Sequence, residues 1–338
     1  MINFSIIIPN YNGAHFLTDC LNSLKQAMDN CPDSEFEIIL VDNNSKDNSL
    51  KIFENIIPKN FNYRILLNSK NYGFAGAVNQ GIEKAKYEWV VLLNNDLTME
   101  QNWFQLISKA IKENKNPKIV TFFGTVLTKD GTKFESQGLK FFYSGKCQNI
   151  SNGDKFIPYL SQPEADQPLA EKEGAGGGLV WGASAAFVVY NKKILKQIGL
   201  FDENFFAYEE DVDLALRLHN LNYQTLYIPS AISYHLGGGT SNKMGIFRYK
   251  MDAKNWIYII IKNFSKKEII KNLPQIIEER LRNLSGLTKQ IIRLYKIKSI
   301  YFLPSILFST YGEVIINLPK MFKKRKSIQK LVKSNHLI

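Results

Sequence analysis

Residues 205–220, FFAYEEDVDLALRLHN, place four carboxylates, Glu209, Glu210, Asp211 and Asp213, within five positions at the head of a helical pattern. Acidic residues suit a helix start in general, because the dipole and the unpaired N–H groups there favour negative charge. A carboxylate so placed can also do chemistry, by taking a proton from an attacking hydroxyl. Further polar groups follow short apolar runs: Pro9-Asn10-Tyr11-Asn12, Asp42-Asn43-Asn44-Ser45 with Asp47 beyond, Asn71-Tyr72-Gly73-Phe74-Ala75, and Asn94-Asn95-Asp96. Asp96 is a hard oxygen donor of the kind that holds Mg2+ or Mn2+.

The elements that must carry these groups alternate. FSIIIP (4–9), FEIILVD (36–42), YRILLN (63–68) and EWVVLLNND (88–96) read as strands. Residues 14–28, 48–57 and 75–86 read as helices, the first with Leu17, Leu21, Leu24 and Met28 on one face. Continuous apolar strands suit a parallel sheet covered on both sides, so the alternation predicts an open α/β fold. In such sheets ligands bind at the carboxyl ends of the strands, where the polar blocks fall. The middle, about 124–173, is less regular and holds a polar loop, SQPEADQPLAEKEG. After it come an apolar run to Tyr190, a short helix over 191–199 closed by Gly199, the acidic helix, and a strand at 223–229.

With 338 residues, 45% apolar and 22% charged, the chain has material for a large core. Three scattered cysteines, Cys20, Cys31 and Cys147, predict neither a disulfide framework nor a metal pair, and suit a reducing compartment. FSIIIP is too short for the apolar part of a signal peptide and has no basic lead. Charge is uneven: residues 1–242 sum to −4 and residues 243–338 to +16. The basic part carries apolar runs, the longest at 299–318, long enough to span a bilayer. Pro304 and Glu313 inside it favour an interfacial segment drawn to anionic lipid.

The blocks SIIIPNYNG, VDNNSKDNS, NYGFAGAVNQGI, VLLNND, WGASAAFVV and YEEDVDLALRL occur in the order seen in family 2 glycosyltransferases. Over residues 1–240 the chain resembles their bacterial rhamnosyltransferase-like branch. The resemblance implies a GT-A fold, Rossmann-like, with a mostly parallel sheet flanked by helices. It also implies a nucleotide-sugar donor, a divalent metal and inversion at the anomeric carbon. Residues 1–242 are expected as the transferase domain, with a nucleotide-sugar half (1–123) and an acceptor half (124–242). Residues 243–338 are expected as a helical region that meets a membrane surface or a second copy.

The resemblance also assigns roles. Asp42 would accept the N3–H of a pyrimidine, which uracil and thymine both offer, so UDP- and dTDP-sugars stay open; an Asx-turn is the alternative. Tyr11 would stack near the base, with Pro9 fixing the strand end and Asn95 at the nucleotide. Asn71 and Asn79 would line the same pocket or serve as caps and surface groups. Asp96 and His235 would hold the metal, which a departing diphosphate needs. Asn94 stands where the family often has a further Asp. The glycine-rich turn behind His235 would offer N–H groups to phosphate. Trp181 and Gly182 would face donor sugar and acceptor, or Trp181 would pack in the core. Asp211 would be the general base, with Glu210 supporting it at the acceptor. Asp213 and Arg217 are spaced for an ordinary helix ion pair, and Glu209 serves the helix dipole.

The expected activity is transfer of a sugar, rhamnose by resemblance, to a saccharide acceptor carried on a lipid, in bacterial surface-polysaccharide synthesis. That implies a cytoplasmic protein, peripheral at the inner face of the membrane. An inactive sugar-nucleotide-binding relative acting as a scaffold is the alternative. The single glycine of NYNGAH argues against a dinucleotide fingerprint, and no nucleic-acid module accompanies the basic tail.

Overall fold

The computed structural model describes residues 1–151, 178–236 and 245–335. The polar loop at 161–174 and the glycine-rich turn behind His235 lie outside them. The chain divides into two compact units. One spans Met1–Lys140, Asn149–Phe206 and Asn222–Gly237; the other spans Phe141–Gln148, Ala207–Leu221 and Gly238–Ile338.

The first unit is built on a sheet. Its opening elements are β1 (Phe4–Asn10), α1 (Ala14–Asp29), β2 (Phe36–Asp42), α2 (Ser49–Ile56), β3 (Tyr63–Leu67), α3 (Gly73–Lys84) and β4 (Trp89–Leu93). The apolar runs of β1, β2 and β4 are buried on both faces, as parallel central strands require. β5 (Leu97–Met99), α4 (Trp103–Glu113), β6 (Ile119–Thr128) and β7 (Phe134–Ser136) follow. A hairpin of β8 (Leu139–Phe141) and β9 (Cys147–Asn149), most of which is grouped with the other unit, precedes β10 (Gly178–Val180), β11 (Phe187–Asn191), α5 (Lys192–Ile198) and β12 (Gln224–His235).

The strand order is β10-β12-β6-β11-β4-β1-β2-β3, with β5 on β12 and β7 on β6. β1 to β4 pair in parallel, as do β6 and β12, while β11 runs antiparallel between β4 and β6. This is the mostly parallel, helix-flanked sheet expected from the sequence. Three elements between 97 and 123, β5, α4 and the start of β6, had no sequence reading. They seat much of the core: Trp103 stacks on Phe187 at 4.0 Å, and Phe104 lies edge-on to Phe36. Gly199 closes α5 in the left-handed conformation, as expected.

The second unit is helical: α6 (Glu210–Asn220), α7 (Ile246–Asn263), α8 (Lys266–Lys271), α9 (Leu273–Tyr295) and α10 (Ser299–Asn335). The acidic helix α6 thus groups with the C-terminal helices, across the 242/243 division suggested by composition. α7 is central, with Trp256, Tyr258 and Ile259 buried, and Ala253 packs on Leu287 and Ile291 of α9. Asp213 and Arg217 do pair, at 3.0 Å, but not as an ordinary surface bridge. Both are buried, and Asp213 also meets Lys262 at 2.8 Å and Asn263 at 2.9 Å. One carboxylate therefore anchors α6 to α7. Cys20, Cys31 and Cys147 are free thiols. Among the described residues no helix is long and apolar enough to cross a membrane. The run at 299–318 is part of α10, which contains Pro304 and Pro319.

Removing one side of a buried ion network leaves the other uncompensated. Asp213→Ala should therefore cost about 3–5 kcal/mol in urea unfolding. An unchanged midpoint would mean that Arg217 and Lys262 find other partners.

Candidate active site

The carboxyl ends of β1, β2 and β4 are joined by one buried side chain, Asn10. Its Nδ2 donates to Asp42 Oδ1 and Ser45 Oγ, each at 3.1 Å, and its Oδ1 accepts from Asn95 Nδ2 at 2.6 Å. Asp42 Oδ2 accepts the Ser45 N–H at 2.9 Å, the local turn expected as its alternative role. Asp42 is thus oriented by two donors at the sheet edge, with lone pairs left for a further one. Asn12 and Asn44 take the left-handed conformation, and the loop after β1 is tied to that after β2. Ser45 Oγ accepts from Asn12 N at 2.9 Å, and Asp47 Oδ2 accepts from Ala14 N at 2.9 Å. A Cβ on Gly13 would overlap the side chains of both Asn95 and Asn10.

A second cluster forms where β12 ends. In the first half of β12, Ile228 stands opposite Gly124 of β6; beyond a bulge, Ile232 stands opposite Thr125 and His235 opposite Thr128. At the earlier offset of 104 positions (228 less 124), Ile232 would have faced Thr128 instead. The bulge fits because Gly124 lacks a side chain: a Cβ there would collide with the Ala231 carbonyl. β5 then pairs His235 with Leu97, and the Leu236 N–H donates to the Asp96 carbonyl at 2.8 Å. The result is a contact between His235 Nε2 and Asp96 Oδ2 at 3.1 Å. β7 brings Glu135, whose carboxylate meets His235 Nδ1 at 2.7 Å.

Burial works against a proton on His235. The hydrogen bonds and charges of Asp96 and Glu135 outweigh it and raise its pKa to about 10. A divalent ion held by this carboxylate and imidazole would take the place of the proton shared between His235 Nε2 and Asp96. Asp96 Oδ1 is buried with no hydrogen-bond partner, and the imidazole offers its other nitrogen to a carboxylate, the usual support of a metal-bound histidine. Asn94 supplies no carboxylate, and no group of three or more His, Cys, Asp or Glu side chains fit for a metal occurs among the described residues. Two protein donors would leave the remaining positions of a divalent ion to substrate phosphates and water.

The other expected residues fall as follows. Pro9 lies within β1 opposite Val41, and Tyr11 is exposed beyond the strand end. Asn71 Oδ1 accepts the Gly73 N–H at 2.8 Å, which caps the start of α3. Asn79 is buried and joined to Phe201 N and O at 3.0 and 2.9 Å and to Glu203 at 3.0 Å. Each amide thus has a hydrogen-bond partner within the chain. Trp181 is half-buried, and the Gly182 carbonyl accepts the Leu139 N–H at 2.9 Å.

In the helical unit the acidic segment enters α6 through unusual backbone. Tyr208 and Glu209 both have φ of 67°, a costly left-handed conformation for side chains of this size. Glu209 occupies the N-cap without a side-chain capping bond. Glu210 is buried and one of its oxygens has no hydrogen-bond partner. Burial, then Asp211 and Asp213, raise its pKa to about 8. Burial and the charges of Asp252, Asp211 and Glu210 also push Glu209 well up, against Arg248. Asp252 rises to about 6 for the same first reason. Arg280 lies 5.6 Å over the Trp256 ring, and its buried guanidinium nitrogens have no hydrogen-bond partner. Burial lowers it to about 10, against the charges of Glu279, Glu209 and Tyr311.

A family model for glycosyl transferase family 2 matches residues 5–199, more than half of the chain. The chain belongs to that family. A poly-beta-1,6-N-acetyl-D-glucosamine synthase of Staphylococcus epidermidis is 27% identical over 230 residues, which cover 66% of this chain and 50% of that relative. The chain thus spans about half that synthase's length. Glycosyltransferase GlyG of Streptococcus pneumoniae is 26% identical over 267 residues, 78% of each chain. Among solved structures, GalNAc-T7 with UDP, GalNAc and Mn2+ gives a TM-score of 0.56 at 16% identity, covering 78% of this chain and 48% of that one. The mannosyltransferase PcManGT from Pyrobaculum calidifontis, with GDP-Man and Mn2+, gives 0.51 at 12% identity, covering 99% and 86%. At these identities the likeness shows the fold, which is GT-A.

Several positions in this family 2 glycosyltransferase had no assigned role from sequence. Asn10 and Ser45 lie inside the quoted blocks, and their place after apolar strands was signal enough. Glu135, Asp252 and Arg280 carried no such signal, because register and helix packing bring them to their neighbours.

Gly13→Ala should lower thermal stability by about 1–3 kcal/mol through overpacking. Stability retained in a melting experiment would mean that the Asn10–Asn95 pair moves aside at no cost. The raised pKa of Glu210 means that the folded chain keeps a proton the unfolded chain releases above its ordinary value of 4.5. Its stabilising contribution is full below pH 4.5 and is lost as pH rises to about 8. Glu210→Gln should flatten that part of the stability–pH curve measured by urea titration.

Proposed function

We propose that the chain is an inverting, metal-dependent transferase. It moves a hexose from a nucleoside diphosphate to a saccharide acceptor on a membrane lipid, at the inner face of the membrane, in bacterial surface-polysaccharide synthesis. The Asp96–His235–Glu135 cluster, with its unpartnered buried oxygen, carries the reading. Asp96 and His235 would hold Mg2+ or Mn2+. When bound, such an ion neutralises charge on the departing diphosphate. Both solved structures named above are described with Mn2+, which supports the choice of a divalent ion.

The chain's own groups have separable tasks. Asp42, oriented by Asn10 and Ser45, accepts the N3–H of a uracil or thymine, and Tyr11 lies along the base. Asp211 takes the proton of the acceptor hydroxyl. That oxygen's electron pair forms the new bond to the anomeric carbon as the bond to the diphosphate oxygen breaks on the opposite face, which inverts the centre. Glu210, protonated up to a pKa of about 8, adds no full charge beside that base at neutral pH.

The motifs favour rhamnose as the sugar. The name of the staphylococcal relative favours N-acetylglucosamine, so both donors enter the test. UDP- and dTDP-sugars, including UDP-N-acetylglucosamine and dTDP-rhamnose, should be screened for binding and hydrolysis with and without Mn2+ or Mg2+. One donor should bind in a metal-dependent way, and Asp96→Ala should abolish that dependence. Asp211→Asn should keep donor binding and lower kcat by about 100-fold or more. A folded chain that binds no donor would shift the reading to an inactive scaffold.

A further inference from the structure

α10 has two apolar faces, and one of them is exposed. Val314, Met321 and Ile328, seven residues apart, are buried in the helical unit. On the other side Tyr301, Phe308, Ile315 and Phe322, also seven apart, are 80%, 82%, 67% and 51% exposed. Seven residues are nearly two turns, so each set forms a stripe that drifts only about 20° per repeat. The outer stripe runs for about 32 Å at the usual helical rise. Ser305, Gly312 and Pro319 stand between its large side chains and leave it open. Past Phe322 the same face continues in Lys326, Lys330 and Lys333, all exposed. The helix has one acidic residue, Glu313, and Lys254 of α7 holds it at 2.7 Å.

We propose that this face of α10 lies on a membrane surface rich in anionic lipid, aromatic and aliphatic side chains among the acyl chains and lysines at the headgroups. An apolar stripe running into lysines on one helix is the pattern of an interfacial helix. Charge decides between this occupant and a second copy: residues 243–338 carry +16, which repels its own kind and attracts an anionic surface. The inference takes up the membrane location of the proposed function and assigns it to one helix face. Its test does not depend on which sugar is moved.

The experiment is flotation of the full chain with vesicles of equal parts phosphatidylglycerol and phosphatidylcholine, and with phosphatidylcholine alone. Wild type should float with the first, less so as salt rises, and weakly with the second. Phe308→Ser with Ile315→Ser should weaken binding to the anionic vesicles by about tenfold or more, since two apolar side chains are lost from the contact. Lys326→Gln with Lys330→Gln should weaken it too and reduce the salt dependence. All these positions are exposed, so circular dichroism melts and donor hydrolysis in solution should match wild type. Serine variants that float as wild type does would overturn the proposal. So would a wild-type dimer in sedimentation velocity that the serine pair dissolves while vesicle binding persists, which would give the stripe to a second copy. Vesicle binding as described, with no donor hydrolysed by any form, would leave this proposal standing and remove the transferase reading.

Discussion

The pairing of β12 with β6 is the constraint on which the sheet's chemistry depends. Backbone hydrogen bonding, not any attraction between side chains, decides which residue of β12 arrives beside Asp96. The three-residue change of register between Ile228 and Ile232 puts His235 there. An odd change also exchanges the two faces of the strand, because side chains alternate. Glu135 follows from the same ladder, since β7 pairs with β6 on the stretch that carries Val126 and Leu127. Asp96, Glu135 and His235 lie far apart in the sequence, and one strand pairing gathers them.

Two buried aspartates are held in different ways. At the end of β2, Asp42 accepts from the neutral groups Asn10 and Ser45, with no cation beside it among the described residues. That leaves the carboxylate oriented but uncompensated by positive charge. In the helical unit Asp213 is matched by Arg217 and Lys262, and its role is to hold two helices together. Two positions away, Asp211 remains half-buried at the start of the same helix. A fully neutralised carboxylate thus fixes the helix from which a less enclosed one projects.

Much of this was legible in the sequence. Runs such as FSIIIP and FEIILVD bury both faces, so their period and length announced parallel strands, and the polar blocks marked the strand ends. Asp96 was marked by its place at a strand end and His235 by resemblance, and the structure places those two side chains in contact. What stayed hidden has a common physical origin. β6 lies in a stretch whose two flanking strands, β11 and β12, come from 67 or more positions later (189 less 122 for β11), so local pattern says little about it. Asn71 and Asn79 show the opposite limit. An asparagine after a strand or within a helix has the same appearance whether its amide meets a ligand or the backbone, and here Gly73 and Phe201 each donate a backbone N–H to one of them. Asp213 and Arg217 have a spacing that sequence reads correctly as a pair, yet only packing against α7 makes the pair a buried anchor.

Gly124 gives a last consequence. It touches no group assigned a chemical task, and its neighbour is a carbonyl of the strand beside it. Yet the room it leaves is what lets β12 change step before His235. Among related sequences, drift at this position would be tied to drift in the 228–232 segment, each change tolerated only in the company of the other. A survey of variants would then score a glycine in the middle of the sheet as functional, although its whole contribution is the space it does not fill.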